Sequence, residues 1–319
     1  MFRSFTTSGS KEPDSSVINI LRLLRTNLEV VTLDNLESAI REVPGVLGLA
    51  AKNQKNGQEI GYKADEIFFT ASTFKVPILV ELYRQVDAGI IDSDTRIELT
   101  DKIRSPGGGL IKELGSGLRL TIHDLALLMI IVSDNTATDI LYDLVGPDKL
   151  NHTMKGLGLS KTSLPMSCKD LLYSMYGVNS DDIFEGTQLV ADGLAHGRIV
   201  EGSDGLSEER SDVSSPRDMI RLLELIYRLE VLSDKSTFAV MDILERQQAN
   251  SIIPFYLPPG LRVAHKTGGV TSVRCDVGIV FSDTGPYTIA LMAKNVTNKL
   301  EIDRALARVS EAVYIDFNK

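Results

Sequence analysis

The pattern of apolar and polar positions divides the chain into segments of helical and of strand period. Residues 15–43 carry apolar side chains at helical spacing in VINILRLLRTNLEVV and again in LESAIREV, with Leu33, Asp34 and Asn35 as the break between two helices. VLGLAAKNQ and EIGYKADE then flank Lys55-Asn56-Gly57, and an Asn-Gly pair between two such stretches predicts a β-hairpin. From ASTFKVPILVELYRQVDAG to STFAVMDILERQQ the spacing is helical again, interrupted by Gly-rich and Ser/Asp-rich loops. Two helix starts are marked there: Thr121 with Asp124, and Ser215 with Pro216 and Asp218. Each puts a hydroxyl at the N-cap and a carboxylate three residues on, where both can satisfy free backbone N–H groups. The last part returns to strands, LRVAHKTGG, RCDVGIVF and YTIALMAKN, with turns at Gly269 and at Asp283-Thr284-Gly285, and LEIDRALARVSEAVYI closes it as a helix. Strands at both ends around a helical block imply one sheet assembled from the two ends of the chain. The first and last helices would cover one face, with a helical half alongside. The cleft between the halves is where a site is expected.

Composition narrows the partners. A chain of 319 residues that is 43% hydrophobic can bury a large core as one domain or two interleaved ones. A net charge of −9 argues against a nucleic-acid or anionic-membrane surface, both of which need clustered Lys and Arg, and favours a small partner. The longest apolar run, Leu125 to Val132, falls far short of the roughly 20 residues that span a bilayer. The first residues, MFRSFTTSGSKEPDSS, lack the apolar core of a signal peptide, which predicts a cytoplasmic chain or one whose export signal has been removed. Cys168 and Cys275 stand far apart with no CxxC spacing or clustered His, so neither a zinc site nor a disulfide framework is indicated, and each reads as a small core residue.

Ser72-Thr73-Phe74-Lys75 opens a predicted helix, and the i, i+3 spacing puts hydroxyl and amine on one face. A serine hydroxyl attacks well only when a base takes its proton. A lysine can be that base only if desolvation or nearby positive charge keeps it partly neutral. A helix N-terminus also aims N–H groups at an oxyanion formed there. Pro77 lacks the N–H that would bond the Thr73 carbonyl, which predicts a local distortion beside the serine. The same spacing occurs at Ser8 and Lys11, but in a polar tail, whereas Ser72 follows apolar IFFTA.

Ser133-Asp134-Asn135 follows an apolar helix, and Lys266-Thr267-Gly268 lies on a strand. In this order, and with GSGLRLTIHDLALLMIIVSDNTATDILYDLVG around the second, the chain resembles the class A β-lactamases and penicillin-binding transpeptidases over roughly residues 33–315, least so over 165–213. The resemblance implies an α+β fold: a five-stranded antiparallel sheet flanked by helices, with an inserted all-helical half. It implies a partly helical N-terminal extension over 1–32, an α/β half from 33–70 and 256–319, and a helical half over 71–255. The last would hold a variant omega-type loop and additional segment at about 160–213. By the same likeness Ser72 is the nucleophile, Lys75 its base or proton relay, and Ser133 the donor to the leaving nitrogen. Asn135 would hold the substrate amide, Lys266 and Thr267 its carboxylate, and the N–H groups of Ser72 and Gly269 the oxyanion. Gly268 and Gly269 let a substrate backbone approach as an added strand. No metal or organic cofactor is implied, and the substrate would be a small or peptide-like acyl compound, anionic so as to fit Lys266. The expected function is a serine hydrolase acting through an acyl-enzyme on an amide, ester or β-lactam, with β-lactam turnover weak. The alternative is a penicillin-binding or sensor protein that is acylated and releases the group very slowly.

The weak turnover follows from a departure. Class A enzymes carry Glu-x-x-Leu-Asn some thirty-five residues beyond the second motif, and its glutamate activates the deacylating water. Here that stretch reads LSKTSLPMSCKDLLYSMYG, followed by the additional NSDDIFEGTQLVADGLAHGRIVEGSDGLSEERSD. Asp170 is a candidate replacement base, with Glu185, Asp192 and Glu201 as further acids, against the commoner fate of a surface carboxylate. His196 has a structural as well as a general-base reading. Alternation turns His265 away from the site. Arg274 either helps to hold a substrate carboxylate or pairs with Asp276 two places on. The loop Ser105-Pro106-Gly107-Gly108-Gly109 either borders the cleft or is a plain connection.

Overall fold

The computed structural model describes residues 35–180 and 182–319; the predicted helix VINILRLLRTNLEVV and the break at Leu33 and Asp34 lie outside them. LESAIREV begins within a helix over 35–41 (α1), which leads into β1 (Val46–Asn53) and β2 (Glu59–Tyr62). The side chain of Asn53 closes the hairpin between them by accepting from the N–H groups of Lys55 and Asn56. β2 is shorter than EIGYKADE suggests, because Lys63 takes a positive φ of 48° and bends the chain away. After the two-residue β3 (Phe68–Phe69) come α2 (Lys75–Asp87), β4 (Arg96–Glu98), β5 (Arg119–Thr121), α3 (Ile122–Ile131), α4 (Asn135–Val145) and α5 (Pro147–Gly156). Then follow α6 (Cys168–Tyr176), α7 (Ile183–His196), β6 (Val213–Ser214), α8 (Pro216–Tyr227) and α9 (Asp234–Glu245). The chain ends with β7 (Val263–Val270), β8 (Val273–Ser282), β9 (Gly285–Lys294) and α10 (Lys299–Phe317).

The five long strands make one antiparallel sheet in the order β2-β1-β9-β8-β7, and two short ribbons, β3 with β6 and β4 with β5, lie apart from it. The fold is therefore α+β with one five-stranded antiparallel sheet, as expected, and β1 from the first part of the chain is hydrogen-bonded to β9 from the last. Strand period two sorts the side chains between two cores. Cys275, Val277, Ala290 and Met292 face the helical half, whereas Leu49, Ile289, Leu291 and Val280 face Ile302, Leu306 and Val309 of α10.

Local chemistry explains most of the boundaries. Thr121 and Asp124 form a full capping box, as their spacing predicts. Ser215 caps α8 from its hydroxyl, but the Asp218 carboxylate turns instead to the N–H of Lys161 and the hydroxyl of Thr162, tying α8 to the segment before α6. The β7–β8 hairpin turns at Thr271 and Ser272 rather than at Gly269, which stays in β7 opposite Arg274.

Candidate active site

Ser72 lies not in the α-helix but in a tight 3-10 turn, Ala71–Phe74, and Lys75 is the first residue of α2. Pro77 is thereby in the first helical turn, where no N–H finds an intrahelical acceptor, so its ring costs α2 nothing and the irregularity lies before it. Ala71, just ahead of Ser72, has φ 42°, and Ser133 has φ 56°. A side chain at positive φ costs of order 1 kcal/mol or more, so both are held there by their surroundings. For Ser133 the holder is Asp134, which caps α4 through the N–H of Ala137 and accepts from Leu110 and Ile111 with its other oxygen.

That carboxylate shapes the Gly-rich loop. Gly109 has φ 119°, and a Cβ on it would stand 2.5 Å from Asp134 Cγ, so this position admits only glycine. Gly107 and Gly108 reach the cleft, which resolves the loop's two readings in favour of a cleft border.

Lys75 is fully buried and donates to Ser133 O at 2.8 Å, Ser133 Oγ at 3.1 Å and Asn135 Oδ1 at 2.9 Å. Lys266, equally buried on β7, donates to the same Ser133 Oγ at 3.1 Å and to Thr267 O at 2.6 Å. With both lone pairs of Ser133 Oγ taken, its own proton is left to be given away, and the cleft is the side on which Ser133 is exposed. Burial pulls the Lys75 amine below the usual lysine range. Burial, and after it the charge of Lys75, pushes Lys266 well down. Two amines on one hydroxyl in a dry site cannot both hold a proton comfortably.

Ser72, Ser133, Asn135, Thr267, Gly268 and Gly269 all line one cleft of about 250 Å³. Gly268 is the point of closest approach: a Cβ there would lie 2.8 Å from Thr70 O and 3.0 Å from the backbone nitrogens of Ser72 and Thr73. The strand thus abuts the serine turn, backbone to backbone. Asn135 is more committed than a plain substrate ligand, since one N–H already goes to Pro106 O at 2.8 Å while its oxygen holds Lys75.

Several expectations need correction. Asp170 is not in the cleft: it forms the capping box of α6, accepting from the Ser167 hydroxyl at 2.7 Å, so a free helix end has claimed its carboxylate. Glu185 accepts from Ser180, and Asp192 from Arg198 and beside His196; these groups are exposed and outside the cleft, as is Glu201. Among the described residues no carboxylate lines the cleft. Arg274 does border it, but its charge is spent on neither a free site nor Asp276. It makes a two-pronged pair with Asp303 of α10, Nε to Oδ1 at 2.6 Å and Nη2 to Oδ2 at 2.7 Å. Asp276 meets buried His265 instead, 2.9 Å away, on the face of the sheet opposite Lys266.

The sequence puts Cys168, Lys169 or Asp170 near the place of the class A glutamate, and of these three Cys168 is the one that lines the cleft. It is a buried free thiol and also a wall of the cleft, close enough to Lys75 for that charge to act on it, although burial still pushes the thiol well up and keeps it protonated. Asp139 fixes its position, accepting from the N–H of Cys168 at 2.7 Å, of Lys169 at 3.0 Å and from the Ser105 hydroxyl at 2.6 Å. The available signal was the i, i+4 spacing of Asn135 and Asp139, which puts both on one face of α4. Among the described residues no three His, Cys, Asp or Glu side chains are grouped to hold a metal ion, and no helix is long and apolar enough to cross a membrane.

The chain is similar to several known proteins. A "Beta-lactamase regulatory protein BlaB" of Streptomyces cacaoi is 23% identical over 82% of this chain and 90% of its own length. The structure of a beta-lactamase from Sphaerobacter thermophilus superposes with a TM-score of 0.75 at 27% identity, covering 90% of this chain and 97% of that one. That of PBP-A superposes with a TM-score of 0.73 at 26% identity, covering 89% and 96%. The family described as "Beta-lactamase enzyme family" matches residues 32–317, and the chain belongs to that family.

Proposed function

We propose that the protein is a serine hydrolase that is acylated on Ser72 and frees itself slowly, so that it turns over β-lactams weakly. The observation that carries this reading is a cleft lined by Ser72 and Ser133, with two buried lysines on the Ser133 hydroxyl, while no carboxylate, among the described residues, lines the wall.

Acylation has every part it needs. Ser72 Oγ attacks the acyl carbon while its proton passes to neutral Lys75. The N–H groups of Ser72 and Gly269 receive the negative charge that develops on the acyl oxygen. Collapse breaks the bond to the leaving nitrogen or oxygen, which takes the proton of Ser133, and that proton is replaced from Lys75. An anionic substrate beside Thr267 favours the charged form of Lys266. A cation there, sharing Ser133 with Lys75, keeps Lys75 neutral and ready to accept. Deacylation has less, because a protonated thiol at Cys168 cannot take a proton from water. The same feature favours a second reading, a penicillin-binding or sensor protein for which the long-lived adduct is the signal. The resemblance to proteins named as regulatory and as PBP-A agrees with it.

Intact-protein mass spectrometry after exposure to benzylpenicillin tests the reading. The expected result is one adduct on Ser72 that outlasts mixing by minutes or more, and none on Ser72→Ala. An adduct of equal yield on both proteins, or on neither, would sink it. Gly268→Ala should slow labelling by about 10²-fold, because the added methyl forces strand and serine turn apart by a good fraction of an ångström. Labelling of this variant at the wild-type rate would remove the close approach from the account.

A further inference from the structure

The Gly-rich loop that borders the cleft is tied off from behind by one side chain. Arg104 stands directly ahead of it, its side chain 16% exposed, and spends all five of its N–H groups within the segment 101–116. Nε donates to Asp101 Oδ1, Nη1 to the carbonyls of Ile111 and Lys112, and Nη2 to the carbonyl of Leu114 and the hydroxyl of Ser116. Residue 104 is thereby bonded to 111–114, and the stretch 105–110 between them becomes a closed loop around the start of α4. Its grip on α4 is continuous. The Ser105 N–H goes to Thr136 Oγ1 at 3.0 Å, Pro106 O accepts from the Asn135 side chain, Gly108 O accepts from the Asn135 N–H at 3.0 Å, and the N–H groups of Leu110 and Ile111 go to Asp134. The middle of the loop is three glycines, which lose the most backbone freedom on ordering, so it has little order of its own. Joining its two ends lowers the entropic cost of holding it.

We infer that Arg104 is a positioning residue for the Ser133 hydroxyl, acting through the Gly-rich loop and Asp134. The inference rests on Ser133 as the proton donor of the proposed acylation and adds what keeps that donor in place. Ser133 holds its φ of 56° because Asp134 is gripped by the N–H groups of Leu110 and Ile111, and the carbonyl on the other side of Ile111 is one that Arg104 binds. Without the guanidinium three carbonyls lose their donor and the loop is free to drift from α4. Ser133 can then relax toward an ordinary φ, which takes its Oγ from its place between Lys75 and Lys266. Ser72 sits in its own 3-10 turn against Gly268 and has no bond to the loop. The loss should therefore fall on proton delivery to the leaving atom more than on attack.

The test compares two acyl donors on one protein, with the rate of adduct formation on Ser72 followed by mass spectrometry. With benzylpenicillin, Ser72 Oγ bonds to the lactam carbonyl carbon, the C–N bond breaks, and the nitrogen takes the proton of Ser133. With phenylacetylglycyl thioglycolate the C–S bond breaks instead and sulfur leaves as a thiolate that needs no proton, while the proton of Ser72 stays on Lys75. Ser133→Ala should lower the ratio of penicillin rate to thioester rate by about 10²-fold or more. Arg104→Met should lower it by about 10–100-fold. Arg104→Lys, whose ammonium keeps three donors for the carbonyls, should lie between Arg104→Met and the wild type. Because each ratio is taken within one protein, a loss of folded material cancels, and a general loosening of the cleft slows both donors alike. A ratio unchanged in Arg104→Met but lowered in Ser133→Ala overturns the positioning role while leaving acylation standing. A ratio unchanged in Ser133→Ala overturns the donor on which the role rests, and no adduct from either compound on the wild-type protein overturns acylation as well.

Discussion

Cys168→Glu is expected to shorten the life of the Ser72 adduct by about 10²–10⁴-fold, the usual worth of a positioned general base. Position 168 borders the cleft, and its backbone is held by Asp139 through two N–H groups, so a longer side chain there is aimed by a fixed main chain. The neighbouring Lys75 would favour the ionised form of the new carboxyl, the form that can accept a proton from water. Cys168→Gln has the same length without the basicity and separates chemistry from shape. Adduct decay is read by mass spectrometry after excess penicillin is removed. Equal lifetimes in the Glu and Gln variants would show that the wall at 168 has no part in holding the acyl group back.

Lys75→Met should slow formation of the adduct by a similar about 10²–10⁴-fold, and it should also change the pH dependence. As a base Lys75 must be neutral, so labelling in the wild type should rise with pH as the amine loses its proton. Because burial favours the neutral form, that rise lies below the usual lysine range. The variant should lose the rise along with the rate. Methionine fills much of the same volume, and a thermal melt checks that the core, where the lysine bonds Ser133 and Asn135, survives. A rate lowered with the rise intact would assign the proton to another group.

The hairpin, the capping box on Thr121 and the final helix were legible because each rests on residues within a few places of one another. Legible too, in hindsight, was the fate of Asp170: Ser167-x-x-Asp170 has the same form as Thr121-x-x-Asp124, and a carboxylate already wanted by a helix end makes a poor candidate base. What could not be read were partners set by the fold alone. Arg274 prefers Asp303, 29 residues on, because strand alternation puts it on the face that α10 covers. Nothing local distinguishes Cys168, a buried thiol on a cleft wall, from Cys275, a buried thiol under the sheet. The helix α7 was visible as an extra segment, but not that its glycines would let it close against α6.

The hydrogen bonding of β1 to β9, with Val46 opposite Lys294, bears on how the molecule is made. On the ribosome the helical half is synthesised before β7, β8 and β9 exist, so the apolar faces of α2 and α8 wait without the sheet that will cover them. Pairings this distant in sequence are slow to form. Chaperones and low growth temperature should therefore govern yield, and Lys266, carried by a strand from the last quarter, completes the cleft only near the end of translation.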